Sequence, residues 1–147
     1  MRRNKIALIG GDLTRGPLNI NVVAYGTPYA GNEILMRNNA QPGDIICISK
    51  PTGRARKGLI DWKMKDYGSV YINDYFRPLP QIKLGKEIAN IASACIDTSD
   101  GLLADLNKML RASECGALIK IDRIPITTDL DDLNYGDDYD ICFTIPA

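Results

Sequence analysis

Leu102, Leu103, Leu106, Met109 and Leu110 recur at the three-and-four spacing that lines up on one side of an α-helix, directly downstream of the apolar run Ala94-Cys95-Ile96. A stripe of this kind has to be buried against another layer, so an amphipathic helix is predicted from Ser99 to about Ala112, ended by Gly116. Short runs rich in Ile, Val and aromatic residues predict strands at Lys5 to Ile9, Leu18 to Tyr25, Asp44 to Ser49, Leu118 to Ile121 and Tyr139 to Ile145. Asn32 to Asn39 is predicted as a short helix before the turn Gln41-Pro42-Gly43. Pro78 and Pro80 suit a helix entrance, and Ile88, Ile91, Ala92 and Cys95 behind them predict a helix of about four turns. Thr52 to Tyr75, interrupted by Gly53, Gly58 and Gly68, carries no pattern that decides its structure. Strands and helices alternate, which predicts an α/β (α+β) fold: a mixed sheet with packed helices, in a single domain spanning 1–147.

Composition narrows the chemistry. Lys plus Arg and Asp plus Glu each number 18, so no excess of positive charge is present to neutralise a polynucleotide, and nucleic acid is not expected as a partner. No apolar run approaches the length of a membrane span, and Met1-Arg2-Arg3 leads into no signal-peptide core, so a cytoplasmic protein without membrane association is expected. The sequence has no histidine, which removes histidine-activated serine or cysteine nucleophiles and the usual nitrogen-rich metal sites. Metal chemistry must then rest on carboxylates and hard cations, chiefly magnesium. Cys47, Cys95, Cys115 and Cys142 are widely spaced among apolar neighbours and are expected as reduced core thiols.

Three segments can carry chemistry. Gly10-Gly11-Asp12-Leu13-Thr14-Arg15-Gly16 lies between two predicted strands, where glycines let a backbone approach phosphate and Asp12 can hold a cation, although the same residues also make an ordinary hairpin turn. Asp97-Thr98-Ser99-Asp100-Gly101 precedes the amphipathic helix. Two carboxylates and two hydroxyls there can bind magnesium beside phosphate, and Ser99 or Thr98 can equally serve as a helix N-cap, which leaves Asp97 unexplained. Tyr135-Gly136-Asp137-Asp138-Tyr139-Asp140 crowds three acids before a strand, either as a ligand loop or as a solvated turn; Asp129, Asp131 and Asp132 read as solvated. Arg37 can reach a phosphate or sit on the surface as an ordinary arginine.

In order along the chain, these segments resemble the thiamine-monophosphate kinases, within the superfamily of aminoimidazole ribonucleotide synthetase and selenophosphate synthetase. Gly10 to Leu18 resembles the family's Gly-Gly-Asp-Thr-Thr-Arg-Gly-Pro-Leu, and Pro42-Gly43-Asp44 its next landmark. Tyr75-Phe76-Arg77-Pro78, Ile96 to Leu102, and Gly136 to Asp140 with Phe143-Thr144-Ile145-Pro146 complete the series. The resemblance covers nearly the whole chain and corresponds to the ATP-facing C-terminal part of family members, which extend upstream of Met1 and downstream of Ala147. It implies that Gly11 and Asp12 contact nucleotide and magnesium, Arg37 the ATP phosphates, Asp97 and Asp100 magnesium, and Ser99 the nucleotide. Asp137 stands where the family has a glutamate that touches thiamine phosphate.

The implied activity is transfer of the ATP γ-phosphoryl group to thiamine monophosphate, giving thiamine diphosphate, with magnesium as cofactor and a homodimer or a chain supplying the remaining domain as partner. The sequence departs from the pattern at Leu13, Tyr135, Asp137 and Asp140, and at Arg54-Ala55-Arg56, where the family tends to have Gly-Asp-Ser. Two other readings stand beside this one: a different ATP-dependent enzyme of the same superfamily, and a non-catalytic interaction domain that keeps the fold.

Overall fold

The computed structural model describes residues 6–28, 31 and 33–147. The start of the first predicted strand at Lys5 and the first residue of the predicted short helix, Asn32, lie outside these residues.

Four elements build the body. Strands β1 (Ile45–Ile48), β2 (Ala94–Thr98) and β3 (Asp140–Ile145) form a sheet of order β1-β3-β2, and helix α4 (Leu102–Ala112) packs on it. Both strand pairings are antiparallel, so the sheet is not mixed as predicted, and of the two layouts the α+β one is realised. Residues paired across the ladder share a face. Ile46, Thr144 and Ala94 therefore look the same way, as do Ile48, Cys142 and Ile96, and this face meets the α4 stripe. Leu102, Leu106 and Met109 are buried there with Ala94, Cys142, Leu133 and Ala40. Each leucine or methionine side chain withdrawn from water contributes roughly 1.5–3 kcal/mol, which is why the stripe fixes the position of α4.

The stretch that sequence left undecided holds α1 (Arg54–Lys63) and α2 (Ile72–Phe76), which pack on each other. Trp62 meets Phe76 edge to face at 5.4 Å, and Arg54 bridges the pair by an ion pair to Asp74 at 2.7 Å while lying over the Tyr71 ring. Helix α3 (Ile82–Ile88) has seven residues rather than four turns. Cys95, which had looked like part of its stripe, belongs to β2, because the chain turns at Ala89–Ser93 and the Ser93 N–H already donates to the Thr144 carbonyl at 2.8 Å.

Other expectations are corrected. The described part of Ile6–Ile9 and the run Leu18–Tyr25 form no strand: both are irregular, with Leu18 94% exposed. A β run without a ladder partner cannot satisfy its backbone and stays out of the sheet. Residues 33–39 form no helix, being too few to hold one alone; side-chain and backbone bonds tether them instead, the Cys95 N–H donating to the Met36 carbonyl at 3.1 Å. Leu118–Ile121 is not a strand, and a 3₁₀ turn begins at Ile121. The helix predicted from Ser99 begins at Leu102, with Gly101 at its N-cap.

Candidate functional site

The site is organised where β2 leaves the sheet and α4 begins. Asp97 pairs across the ladder with Ile141 and turns to the sheet face opposite α4, where it is exposed. Its carboxylate takes part in no hydrogen bond or ion pair with the other described residues. Its charge is nevertheless felt: the Cys95 thiol on the same face is pushed up to about 11, first by burial and then by Asp97.

Neither Ser99 nor Thr98 caps α4. Thr98 is the last residue of β2 and is buried, and no side chain caps the helix at Gly101. The first-turn acid Asp105, almost fully buried, does related work: its Oδ2 accepts the Asp100 N–H at 2.8 Å and its Oδ1 accepts from Lys108 Nζ at 2.7 Å. Lys108 also pairs with the exposed carboxylate of Asp100, and the two acids, Asp100 foremost, hold its ammonium above the ordinary lysine value. Asp105 was missed by sequence reasoning although a signal was present: it lies three residues after Leu102 and four before Met109, inside the apolar stripe.

The Tyr135–Asp140 loop lies directly against this turn. The Tyr139 N–H donates to the Thr98 carbonyl at 2.9 Å and the Asp137 N–H to the Ser99 carbonyl at 3.0 Å. Two glycines make so close an approach possible. A Cβ on Gly136 would collide with the Ser99 carbonyl oxygen, and one on Gly101, at φ 114°, would sit 2.8 Å from the Asn134 carbonyl carbon. The structure thus brings the second and third sequence segments together, with Asp97, Ser99, Asp100 and Asp137 at one end of the sheet.

The remaining acids of this region are engaged in the fold. Asp138 accepts the N–H groups of Gly53 at 2.7 Å and Ala55 at 2.8 Å, and lies 3.1 Å from the Thr52 hydroxyl. Burial pushes its carboxyl above the ordinary range against the pull of these donors. Asp140 is buried with Lys50 at 2.9 Å and Gln81 at 3.0 Å.

The reading of Asp129, Asp131 and Asp132 as solvated is corrected for Asp132, which is fully buried. It takes Arg56 at 2.8 Å and the Thr128 N–H at 2.6 Å, and closes a capping box with Asp129. Burial opposes its charge, but Arg56 and the Thr128 amide and hydroxyl outweigh it and hold the carboxyl below the ordinary value.

Gly11 and Asp12 stand apart from this assembly. They are exposed; among the described residues Asp12 Oδ1 accepts only the neighbouring Leu13 N–H, at 2.8 Å, and none lies within 4 Å of where a Gly11 Cβ would stand. Arg37 is exposed, and its carbonyl accepts the Ser113 hydroxyl at 3.1 Å, beyond the C-terminal end of α4 and remote from Asp100. Among the described residues no three metal-ligating side chains gather, so Asp12 does not join Asp97 and Asp100 in one group. An open apolar cleft of about 660 Å³ between β1 and α4 is lined by Ile46, Ile48, Leu103, Leu106 and Leu110, and by none of the predicted site residues.

No family model matches the chain. A thiamine-monophosphate kinase from Buchnera aphidicola of Schizaphis graminum is 38% identical over 99% of the chain, and that from Salmonella typhimurium is 37% identical over 95%. The chain is similar in sequence to the thiamine-monophosphate kinases. It spans about half the length of these curated relatives, 50% and 48% respectively.

Solved structures agree. The thiamine-monophosphate kinase of Stenotrophomonas maltophilia K279a superposes with a TM-score of 0.67 at 35% identity, covering 77% of this chain and 42% of that one. The structure described as AaThiL complexed with AMPPCP and TMP superposes with a TM-score of 0.68 at 28% identity, covering 76% and 42%. Escherichia coli HypE, a hydrogenase maturation protein, shares the fold alone, with a TM-score of 0.56 at 18% identity. Among the described residues no helix is long and apolar enough to cross a membrane.

Proposed function

We propose that this chain forms the nucleotide-facing wall of a thiamine-monophosphate kinase, its C-terminal part folded as one domain, in an enzyme that transfers the ATP γ-phosphoryl group to thiamine monophosphate. The observation that carries this reading is the strand-to-helix turn Asp97–Gly101, which presents beside Ser99 an exposed carboxylate with no hydrogen-bond or ion-pair partner among the described residues, in a chain akin to these kinases along 99% of its length.

Asp97 and Asp100 suit magnesium, which is ordinarily held by one or two carboxylates with water and phosphate oxygens completing its shell. Lys108 competes for Asp100, which leaves Asp97 as the principal ligand. Bound there, the metal would neutralise charge on the phosphates. Ser99 faces the nucleotide and Asp137 the thiamine phosphate, whereas Gly11, Asp12 and Arg37 stand apart from this turn. The work of these groups is positioning and electrostatic, as phosphoryl transfer requires. A second copy, or a chain carrying the other half, completes the site, and we place the enzyme in the cytoplasm, where ATP is at hand.

The test is titration of the protein with magnesium ATP, with and without thiamine monophosphate, following the thermal midpoint and thiamine diphosphate. The reading predicts a rise in midpoint with magnesium ATP that chelation abolishes. An unchanged midpoint at millimolar nucleotide would overturn it.

A further inference from the structure

Asp137 and Tyr139 both hold left-handed backbone, at φ 70° and 49°, a conformation that side-chain-bearing residues avoid unless their surroundings enforce it. The residue between them points into the fold. Asp138 is 8% exposed and receives the backbone N–H groups of Gly53 and Ala55, at 2.7 and 2.8 Å, with the Thr52 hydroxyl 3.1 Å away. Those donors form the entrance of α1, a helix whose own N-cap, Gly53, has no side chain to offer. On the opposite side, the amides of Asp137 and Tyr139 donate to the Ser99 and Thr98 carbonyls, the backbone that carries Asp97 and Asp100. The strained turn is thus gripped from both sides, one grip being a single carboxylate 83 to 85 residues along the chain from its amide partners.

We propose that Asp138 is a positioning residue: by binding the first-turn amides of α1 it holds the left-handed Asp137–Tyr139 turn against the Thr98–Gly101 backbone and so fixes Asp137 relative to Ser99 and Asp97. The nucleotide part of this inference rests on the function proposed above; the structural part does not. Because the carboxylate occupies the α1 amides, that helix entrance is also closed to phosphate. A carboxylate is suited to the task, since it offers lone pairs to several donors at once and no proton of its own when ionised. An amide in its place turns an N–H₂ toward donors.

The test is amide hydrogen exchange of wild type and Asp138→Asn, read residue by residue, together with magnesium ATP titration. The proposal predicts at least tenfold faster exchange at Asp137 and Tyr139, unchanged exchange at Cys142 and Thr144 within β3, and magnesium ATP binding at least tenfold weaker. Faster exchange confined to the first turn of α1 would overturn it, because Asp138 would then be a helix cap and nothing more. A loosened turn with nucleotide affinity unchanged would overturn the link to the site. If wild type itself gives no nucleotide response, the proposed function fails while the exchange pattern still decides the role of Asp138. Should Asp138→Asn not fold, Thr52→Val removes one of the three donors to Asp138, a hydroxyl that also lies 3.2 Å from the Asp132 carbonyl, and is expected to speed the same two amides at least twofold; no change there would overturn the proposal.

Discussion

Asp105→Asn and Asp97→Asn make the same chemical change at two acids eight residues apart, and the structure assigns them opposite consequences. Asp105 is almost fully buried, and its two oxygens accept from the Asp100 N–H at 2.8 Å and from Lys108 at 2.7 Å. Both partners are donors, so an asparagine can satisfy one of them and must set its own N–H₂ against the other. An unsatisfied buried group costs roughly 1–3 kcal/mol, and the ion pair adds little because Lys108 is 42% exposed. We expect a loss of about 2 kcal/mol for Asp105→Asn.

The Asp97 carboxylate is exposed and makes no hydrogen bond with the described residues, so Asp97→Asn should stay within about 0.5 kcal/mol of wild type. Urea unfolding followed by circular dichroism measures both, provided the slope with denaturant is the same in all three proteins. If Asp97→Asn costs as much as Asp105→Asn, the division into a structural and a ligand-facing acid is wrong.

Three further outcomes follow from other parts of the fold. Arg56→Met strips the buried Asp132 carboxylate of its ion-pair partner and should cost about 3 kcal/mol at neutral pH. Because Asp132 is held below its unfolded value of 3.8, wild type should keep this contribution above about pH 4 and lose it as pH falls through the lower folded value, a dependence the variant should lack in acid unfolding titrations. Alkylation of the native protein near pH 8 should spare Cys142, buried with its thiol pushed up to about 12, and Cys95, raised to about 11, whereas unfolding should expose all four thiols to mass-spectrometric counting. Leu13, Leu18, Ile20 and Val22 are each more than 80% exposed, so light scattering should detect association at micromolar concentration, and a clean monomer across that range would contradict this expectation.

The sequence made legible what depends on local pattern. The α4 stripe, the β1 and β3 runs and the acidic strand-to-helix turn were all readable, because burial of a periodic apolar face leaves a mark in residue spacing. What stayed hidden depends on contacts across the chain. The α1–α2 pair could not be read, since α1 takes its capping from Asp138, more than 80 residues away. Cys95 was misread as helical because four positions at the right interval fit either element until the ladder to Phe143 decides.

Leu18–Tyr25 has the composition of a strand but no partner among the described residues, and strand formation needs one. Within the candidate site, Asp97, Ser99, Asp100 and Asp137 were named from sequence and lie together. The buried acids Asp105, Asp132 and Asp138 were not distinguished from their solvated neighbours, because an aspartate's partners are not written beside it. The similarity to thiamine-monophosphate kinases was legible from motif order, and the relatives at 37–38% identity agree with it.

The central claim is that Asp97 faces ligand, and thermal melting of wild type and Asp97→Asn with and without magnesium ATP tests it most directly. At a hundred times the dissociation constant, a ligand of the folded state adds about 2.7 kcal/mol, or roughly 5–10 °C for a domain of this size. The account predicts that rise in wild type and its loss in Asp97→Asn, with the unliganded midpoints within about 2 °C of each other. A variant that melts far below wild type without ligand, yet rises as much with magnesium ATP, would show that Asp97 supports the fold and that the metal lies elsewhere.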